Sequence, residues 1–202
     1  MIASRQTLTP SSLRARPPMA PGKLAAMTES LVWVPALQRP DLLAVAVRKA
    51  IENEPALAAL DVAEIDPQYA DTEALCDRYD VTTGESANCV VVAGRRGEQV
   101  SLAACVILAT TRADVNGLVR KHLNARKASF APLADVEAAT GMEFGGITPV
   151  GLPTQWPLLL SEAVAEHPAV VIGSGLRHSK LRLPGSALAA LPNTHVLPGL
   201  AI

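Results

Sequence analysis

The sequence predicts a mixed α/β fold, in which a mixed and largely antiparallel sheet is flanked by helices. Two β-rich runs, residues 89–93 and 100–110, flank a glycine-bounded turn at 94–97 and predict a hairpin with a largely buried face. Apolar residues recur at helical spacing between residues 42 and 51. Predicted strands and helices are interspersed without regular alternation, which favours a mixed sheet over a doubly wound parallel one.

The other elements are predicted by local pattern and by capping residues. In the first part of the chain they are a strand at 62–65, a helix at 71–79, a helix at 114–123 capped by Asp114, a strand at 127–130 and a helix at 135–140 ended by Gly141. Further on they are strands at 157–160 and 169–172, a helix at 187–191 and a strand at 195–197. Between these, Leu181 and Leu183 alternate with Lys180 and Arg182, which predicts a half-buried strand.

Length and composition favour one domain that follows a tail. The chain has 202 residues, of which 49% are hydrophobic, so a substantial core is possible. Residues 1–39 are rich in Pro, Ser and Arg, and we expect a mostly disordered extension before a domain at 40–202. The acid-free start also resembles an organelle transit peptide, although its prolines would break the amphipathic helix of such peptides. A later translation start, at Met19 or Met27, is a third explanation.

Charge and residue counts exclude several classes of function. A net charge of −1 does not suit a protein that grips long duplexes through many phosphates, so any contact with nucleic acid should be local. No apolar run approaches the roughly 20 residues that span a bilayer. The three cysteines form no Cys-x-x-Cys pair and fit a reducing cytoplasm, and the four histidines lack metal-ligand spacing. We therefore expect a cytoplasmic protein without a metal site.

The stretch at residues 141–153 contains four glycines and two prolines with apolar residues between them. Glycine allows another molecule to approach the main chain closely, whereas proline fixes the backbone and removes a donor. Such a loop can direct peptide N–H groups at a ligand. On composition alone, a tight connection between a helix and a strand explains it equally well.

The order of these elements resembles the YbaK/ProX family of aminoacyl-tRNA deacylases, which includes the editing insertion of bacterial prolyl-tRNA synthetases. The resemblance covers roughly residues 40–200. Its most specific feature is a Gly-x-x-x-Pro signature, met by Gly145 and Pro149, with Thr140-Gly141 before it and Gly151-Leu152-Pro153 after it. The resemblance implies hydrolysis of the ester that joins a wrong amino acid to the terminal adenosine of tRNA, without a metal or organic cofactor.

Two positions depart from the family pattern. The family commonly has a lysine near the start of the first hairpin strand, where this sequence has Asn88. It commonly has an aspartate after the strand that follows the glycine loop, where Ser161 stands here. Both differences remove charge from the site that the resemblance implies.

The residues themselves support ester hydrolysis through positioned donors. Backbone amides of Gly145, Gly146 and Ile147 could stabilise an oxyanion, and Asn88 could donate a further hydrogen bond to the ester or the ribose. We expect substrate contacts from the following residues: Thr148, Pro149, Ser161, Ser174, Gly175, Arg177 and Lys180. Arg177 and Lys180 belong to a basic cluster that could hold the tRNA acceptor end, although a solvated surface explains such a cluster equally simply.

Two functions remain open at this point. The first is a trans-editing deacylase of mischarged tRNA. The second is a non-catalytic family member that binds an aminoacyl-adenosine-like ligand, a tRNA end or a synthetase partner. The intact loop from Gly145 to Pro149 favours the enzyme, whereas Asn88 and Ser161 favour the binding protein. The amino acid, the tRNA species and the oligomeric state are not predicted.

Overall fold

Nine strands in two sheets form the framework of the part of the chain that the structure describes. The computed structural model describes residues 28–202. Its strands are β1 Val34–Pro35, β2 Asp61–Glu64, β3 Ala87–Arg96, β4 Gln99–Leu108, β5 Lys127–Phe130, β6 Leu158–Ser161, β7 Val170–Gly173, β8 Ser179–Leu183 and β9 Thr194–Leu197. One sheet has the order β1-β2-β8-β7 and the other the order β5-β3-β4-β6-β9. Only the β4–β6 and β6–β9 pairings are parallel. The predicted mixed, largely antiparallel α/β fold is therefore confirmed.

Short helices cover the sheets. They are α1 Val45–Asn53, α2 Thr72–Arg78, α3 Arg120–His122, α4 Leu133–Thr140, α5 Glu162–Ala165 and α6 Gly185–Ala189. A π-helical turn, Val115–Val119, leads into α3, and Asp114 caps it as predicted by accepting hydrogen bonds from the Gly117 and Leu118 amides. Gly141 ends α4 in the left-handed conformation, with a φ of 67°, as predicted. Within residues 28–202, none of the helices combines the length and the apolar character that crossing a bilayer requires.

The predicted hairpin is confirmed, but its turn lies further along the chain. Strands β3 and β4 pair from Ala87 opposite Leu108 to Arg96 opposite Gln99, so the turn falls after Arg96 and not at residues 94–97. Gly94 stays within the strand because the chain packs closely there: an added Cβ would lie 2.9 Å from side-chain carbons of Leu123 and Ala125. Glycine at position 94 therefore allows close packing and does not form the turn.

The two sheets join along the start of β3 and share one core. Ser86 bridges to Val171 of β7, and the Val171 amide donates to the Glu85 carbonyl at 2.8 Å. The largest apolar cluster contains buried residues from both sheets, including Val106, Leu160 and Leu181. The seam between the sheets is therefore a fixed feature of the fold.

Residues 28–39 are structured, whereas we expected disorder there. Residues 1–27 of the expected extension lie outside the described residues. Glu29 forms a bridge with Tyr79, β1 pairs with β2, and Ala36 is 2% exposed within the main core. The apolar residues of this short segment were too few to show a period in the sequence. The expected disorder therefore does not extend to residues 28–39.

Strand β8 is more deeply buried than the predicted half-buried strand, since four of its five residues are buried and Arg182 is partly exposed. It lies between β2 and β7 in its sheet, and Lys180 is only 6% exposed. The alternation of Lys180 with Leu181 suggested a solvated face because a pattern of residue types does not show which elements cover a strand. Lys180 is consequently an interior residue.

The glycine-rich loop lies directly against the loop that joins β7 to β8, backbone against backbone. The Gly146 carbonyl accepts a hydrogen bond from the Gly175 amide at 2.7 Å, and the Glu143 amide donates to the Gly175 carbonyl at 2.9 Å. A Cβ on Gly173 would overlap the Gly146 carbonyl oxygen, and a Cβ on Gly146 would overlap the Leu176 carbonyl oxygen. The contact therefore requires residues without side chains on both segments.

Gly173→Ala should destabilise the fold by about 1–3 kcal/mol, because the new methyl group can be accommodated only if the two backbones move apart. The measurement is the free energy of unfolding from urea denaturation. Gly84→Ala is the matched control, since its Cβ would have no neighbour closer than the Thr82 hydroxyl at 3.8 Å. Equal stability of the two variants would contradict the close packing of the loops.

Candidate active site

A pocket of about 250 Å³ lies in the seam between the two sheets. Its walls come from the start of α2, residues 86–90 of the β3 segment, the glycine-rich loop, the end of β7, and Lys180 of β8. Strand β5 pairs with β3 only from Val92 to Arg95, and β7 bridges to Ser86 just before β3, so residues 87–90 have no strand partner on that side among the described residues. The pocket therefore lies beside an uncovered strand edge.

Asn88 lines this pocket with its amide group held in place. Its Oδ1 accepts a hydrogen bond from the Thr72 hydroxyl at 2.9 Å, from the first residue of α2. The Asn88 amide nitrogen has no acceptor within residues 28–202. Because the oxygen is already bonded, the group presents N–H donors to a ligand.

The glycine-rich loop contributes two of the three amides that the sequence predicted as donors. Gly145 and Ile147 line the pocket, and their amides make no hydrogen bond to any residue that the structure describes. The Gly146 amide instead donates to the Glu143 carbonyl at 2.9 Å, inside the loop. Gly145 has a φ of 81°, a conformation that glycine adopts without strain. Gly146 thus shapes the loop, and its neighbours hold the free donors.

Lys180 reaches the same pocket from β8. Its Nζ donates to the Ala70 carbonyl at 2.6 Å and to the Gly145 carbonyl at 3.1 Å. Burial lowers the pKa of this amine to about 8, an effect that the nearby Asp71 carboxylate partly opposes. The prediction placed Lys180 with Arg177 among contacts to the tRNA end, but the structure places it inside the pocket.

Burial disfavours the ionised form of the thiols beside the pocket. Burial raises the pKa of Cys89, which lines the pocket, far above the ordinary range, and burial also raises the pKa of Cys76. A thiol is a poor nucleophile until it is ionised. The pocket therefore offers hydrogen-bond donors and one cation, but no ionised cysteine.

The rim of the pocket carries an aromatic ring beside a guanidinium group. Phe144 is 54% exposed, and the Arg177 guanidinium lies 5.6 Å from the centre of its ring. Arg177 also donates to the Phe144 carbonyl at 3.2 Å and to the Asp71 carboxylate at 3.4 Å. These contacts hold Arg177 at the rim. The sequence predicted that Arg177 contacts the tRNA end.

Five other predicted contact residues do not line the pocket. Ser161 is buried and caps α5 by accepting from the Val164 amide, and the Ser174 hydroxyl bonds within the core to that of Ser179 at 2.7 Å. Thr148 is fully buried, Gly175 packs against the α1 side of the core, and Pro149 lines a separate cleft. They were predicted from neighbourhood in sequence or from the family pattern, and neither reveals the direction of a side chain.

Most of the pocket lining was not predicted as site residues, including three side chains that bear on its chemistry, namely Asp71, Thr72 and Phe144. The sequence did place Asp71 and Thr72 at the start of a helix, and Phe144 within the glycine-rich stretch. Nothing in the sequence showed that α2 starts beside β3, because that approach depends on the tertiary packing.

Comparison with known proteins identifies the family of the segment that forms the pocket. Residues 66–191 match the aminoacyl-tRNA editing domain, and that segment contains every residue that lines the pocket. The chain belongs to this family. An Enterococcus faecalis protein, EbsC, named as a candidate Cys-tRNA(Pro)/Cys-tRNA(Cys) deacylase, is 26% identical over 125 residues, which cover 62% of this chain and 74% of the relative.

Solved structures show the same fold. A candidate trans-editing enzyme for prolyl-tRNA synthetase superposes with a TM-score of 0.64 at 21% identity, over 77% of this chain and 97% of the other. A scaffold protein used for epitope grafting gives a TM-score of 0.65 at 23% identity, with the same two coverages. These similarities support the mixed α/β fold.

Proposed function

We propose that the protein hydrolyses the ester bond of mischarged aminoacyl-tRNA as a free-standing, trans-editing deacylase. The observation that carries this proposal is that three residues with donors unpaired in the described chain line one pocket, namely Gly145 and Ile147 with their backbone amides and Asn88 with its side-chain amide. Membership of the aminoacyl-tRNA editing family supports an ester of this class as the substrate.

The chemistry needs no protein nucleophile, because an aminoacyl ester is already activated. Water attacks the ester carbonyl carbon, and negative charge develops on the carbonyl oxygen. Donors fixed before the reaction stabilise that charge without reorganisation, and loss of one such donor typically costs about 100- to 1,000-fold in rate. In this proposal Asp71, a carboxylate of the pocket lining, takes the proton of the water and passes it to the ribose oxygen as that oxygen leaves.

The size of the pocket favours a small aminoacyl group. At about 250 Å³ it lies just below the usual range for small-molecule sites, about 300–1,000 Å³, so it suits an aminoacyl group with the ribose at the opening. The name of the Enterococcus faecalis relative points to a cysteinyl ester. We therefore propose alanyl or cysteinyl esters as substrates.

The rim is suited to the terminal adenosine of the tRNA. The exposed ring of Phe144 offers a surface on which a base can stack, and Arg177 offers a cation for the adjoining phosphate. A contact limited to the acceptor end agrees with the net charge of −1. A cytoplasmic location would give access to charged tRNA, and a synthetase partner could supply additional tRNA contacts.

The deciding experiment is a deacylation screen of the purified protein with tRNA(Pro) charged separately with alanine, cysteine, serine or proline. We expect hydrolysis of the alanyl or cysteinyl ester well above the uncatalysed rate, and slower hydrolysis of prolyl-tRNA, the correctly charged species. Binding of charged tRNA without hydrolysis of any ester would support the alternative, a non-catalytic binding protein, which the uncharged Asn88 side chain favours.

Phe144→Ala should weaken binding of the charged tRNA by about 5- to 150-fold, since one stacked base contributes about 1–3 kcal/mol. The measurement is KM in the deacylation assay, together with tRNA affinity by filter binding. Phe130→Ala is the matched control, because Phe130 is also exposed but does not line the pocket. Similar affinities for both variants would contradict stacking on Phe144.

A further inference from the structure

The charge of Lys180 is only partly compensated by its surroundings. Its Nζ contacts two neutral carbonyl oxygens, those of Ala70 and Gly145, and no carboxylate within residues 28–202 lies at ion-pair distance from it. An ammonium group carries three N–H bonds, so one remains available. A buried cation in this condition favours a partner oxygen that carries negative charge.

Lys180 and Asn88 approach the pocket from different sheets. Asn88 belongs to β3 of the five-stranded sheet, and Lys180 belongs to β8 of the four-stranded sheet. The carbonyl that Lys180 holds is that of Gly145, whose amide is one of the free donors. The cation is therefore bonded to a residue whose free amide would receive the ester oxygen.

We propose that Lys180 is a catalytic residue, whose ammonium group contacts the ester carbonyl oxygen and stabilises the negative charge formed there. This assignment rests on the proposed deacylase function. When the water oxygen bonds to the carbonyl carbon, the π electron pair moves to the oxygen beside Lys180. When the intermediate collapses, the pair returns, the bond to the ribose oxygen breaks, and the proton lost by the water is delivered to that leaving oxygen.

The pH dependence follows from the charged form of Lys180. The titratable and charged groups that face it are Asp71, Arg177 and Cys76. Asp71 raises its pKa and Arg177 lowers it, while burial is the dominant cause of the value of about 8. The ammonium form decreases as the pH rises through that value. The enzyme-dependent part of kcat/KM should therefore fall above pH 8.

The test removes the lysine at position 180 of β8 and, in a second variant, introduces one at position 88 of β3. Lys180→Met should lower kcat by about 100-fold with little change in KM, as expected for a group that acts mainly in the transition state. The double variant Asn88→Lys/Lys180→Met should recover at least about tenfold of that loss, because its ammonium again faces the ester. Lys49→Met, at an exposed lysine of α1, should retain the parent rate.

The substrate is the ester that the parent hydrolyses fastest in the screen, and uncatalysed hydrolysis is subtracted at each pH. The α-amino group of the substrate titrates in every sample, so the comparison is between variants. The fall above pH 8 should occur in the parent and be absent in Lys180→Met. If Lys180→Met does not fold, Lys180→Arg replaces it, and the fall should disappear because a guanidinium stays charged.

The outcomes separate the two proposals. A parent protein that hydrolyses no charged tRNA overturns the deacylase function, and the role of Lys180 with it. An active parent whose Lys180→Met variant keeps its kcat within threefold overturns the role of Lys180 alone. A folded Lys180→Met variant that is inactive and is not rescued by lysine at position 88 also overturns it, because a purely structural tie between Ala70 and Gly145 predicts that result.

Discussion

The site depends on the backbone-to-backbone contact between the glycine-rich loop and the β7–β8 loop. The glycine-rich loop and the β7–β8 loop approach so closely that glycine is required at 146 and at 173. Their hydrogen bonds occupy the Gly146 amide and carbonyl, and this fixes the conformation of the loop. The amides on either side of Gly146 are left unpaired within the described chain. The Gly146 amide is satisfied within the loop by the Glu143 carbonyl, and the Gly146 carbonyl by the Gly175 amide of the other loop. A ligand site thus arises because the flanking donors are left free.

The electrostatics of the pocket follow from the same arrangement. The Gly145 carbonyl points at Lys180, which helps a buried ammonium to remain solvated by protein oxygens. Even so, burial makes the charged form less favourable, as the lowered pKa of Lys180 shows. A ligand that develops negative charge would relieve this cost. The pocket is therefore better suited to the oxyanion of an ester than to its neutral carbonyl, which is the property that catalysis requires.

Much of the fold followed from the sequence, but the direction of side chains did not. Periodicity and capping residues predicted the hairpin, the Asp114 cap and the end of α4 at Gly141, because these features depend on neighbours along the chain. Gly145, Ile147 and Asn88 were predicted as site residues, and all three line the pocket. Lys180 was expected at a surface because its burial depends on β2 and β7, which are distant in sequence. Ser161 was expected in the site, but its hydroxyl caps a four-residue helix that the sequence pattern did not reveal.

The most direct test of this account is a crystal structure with 3′-alanylamino-3′-deoxyadenosine, in which an amide replaces the labile ester. The account predicts that the alanyl carbonyl oxygen lies within hydrogen-bond distance of the Lys180 ammonium and of the Ile147 or Gly145 amide, with adenine against Phe144. An analogue bound in another cleft, or in this pocket with its carbonyl oxygen directed away from the glycine-rich loop, would contradict it.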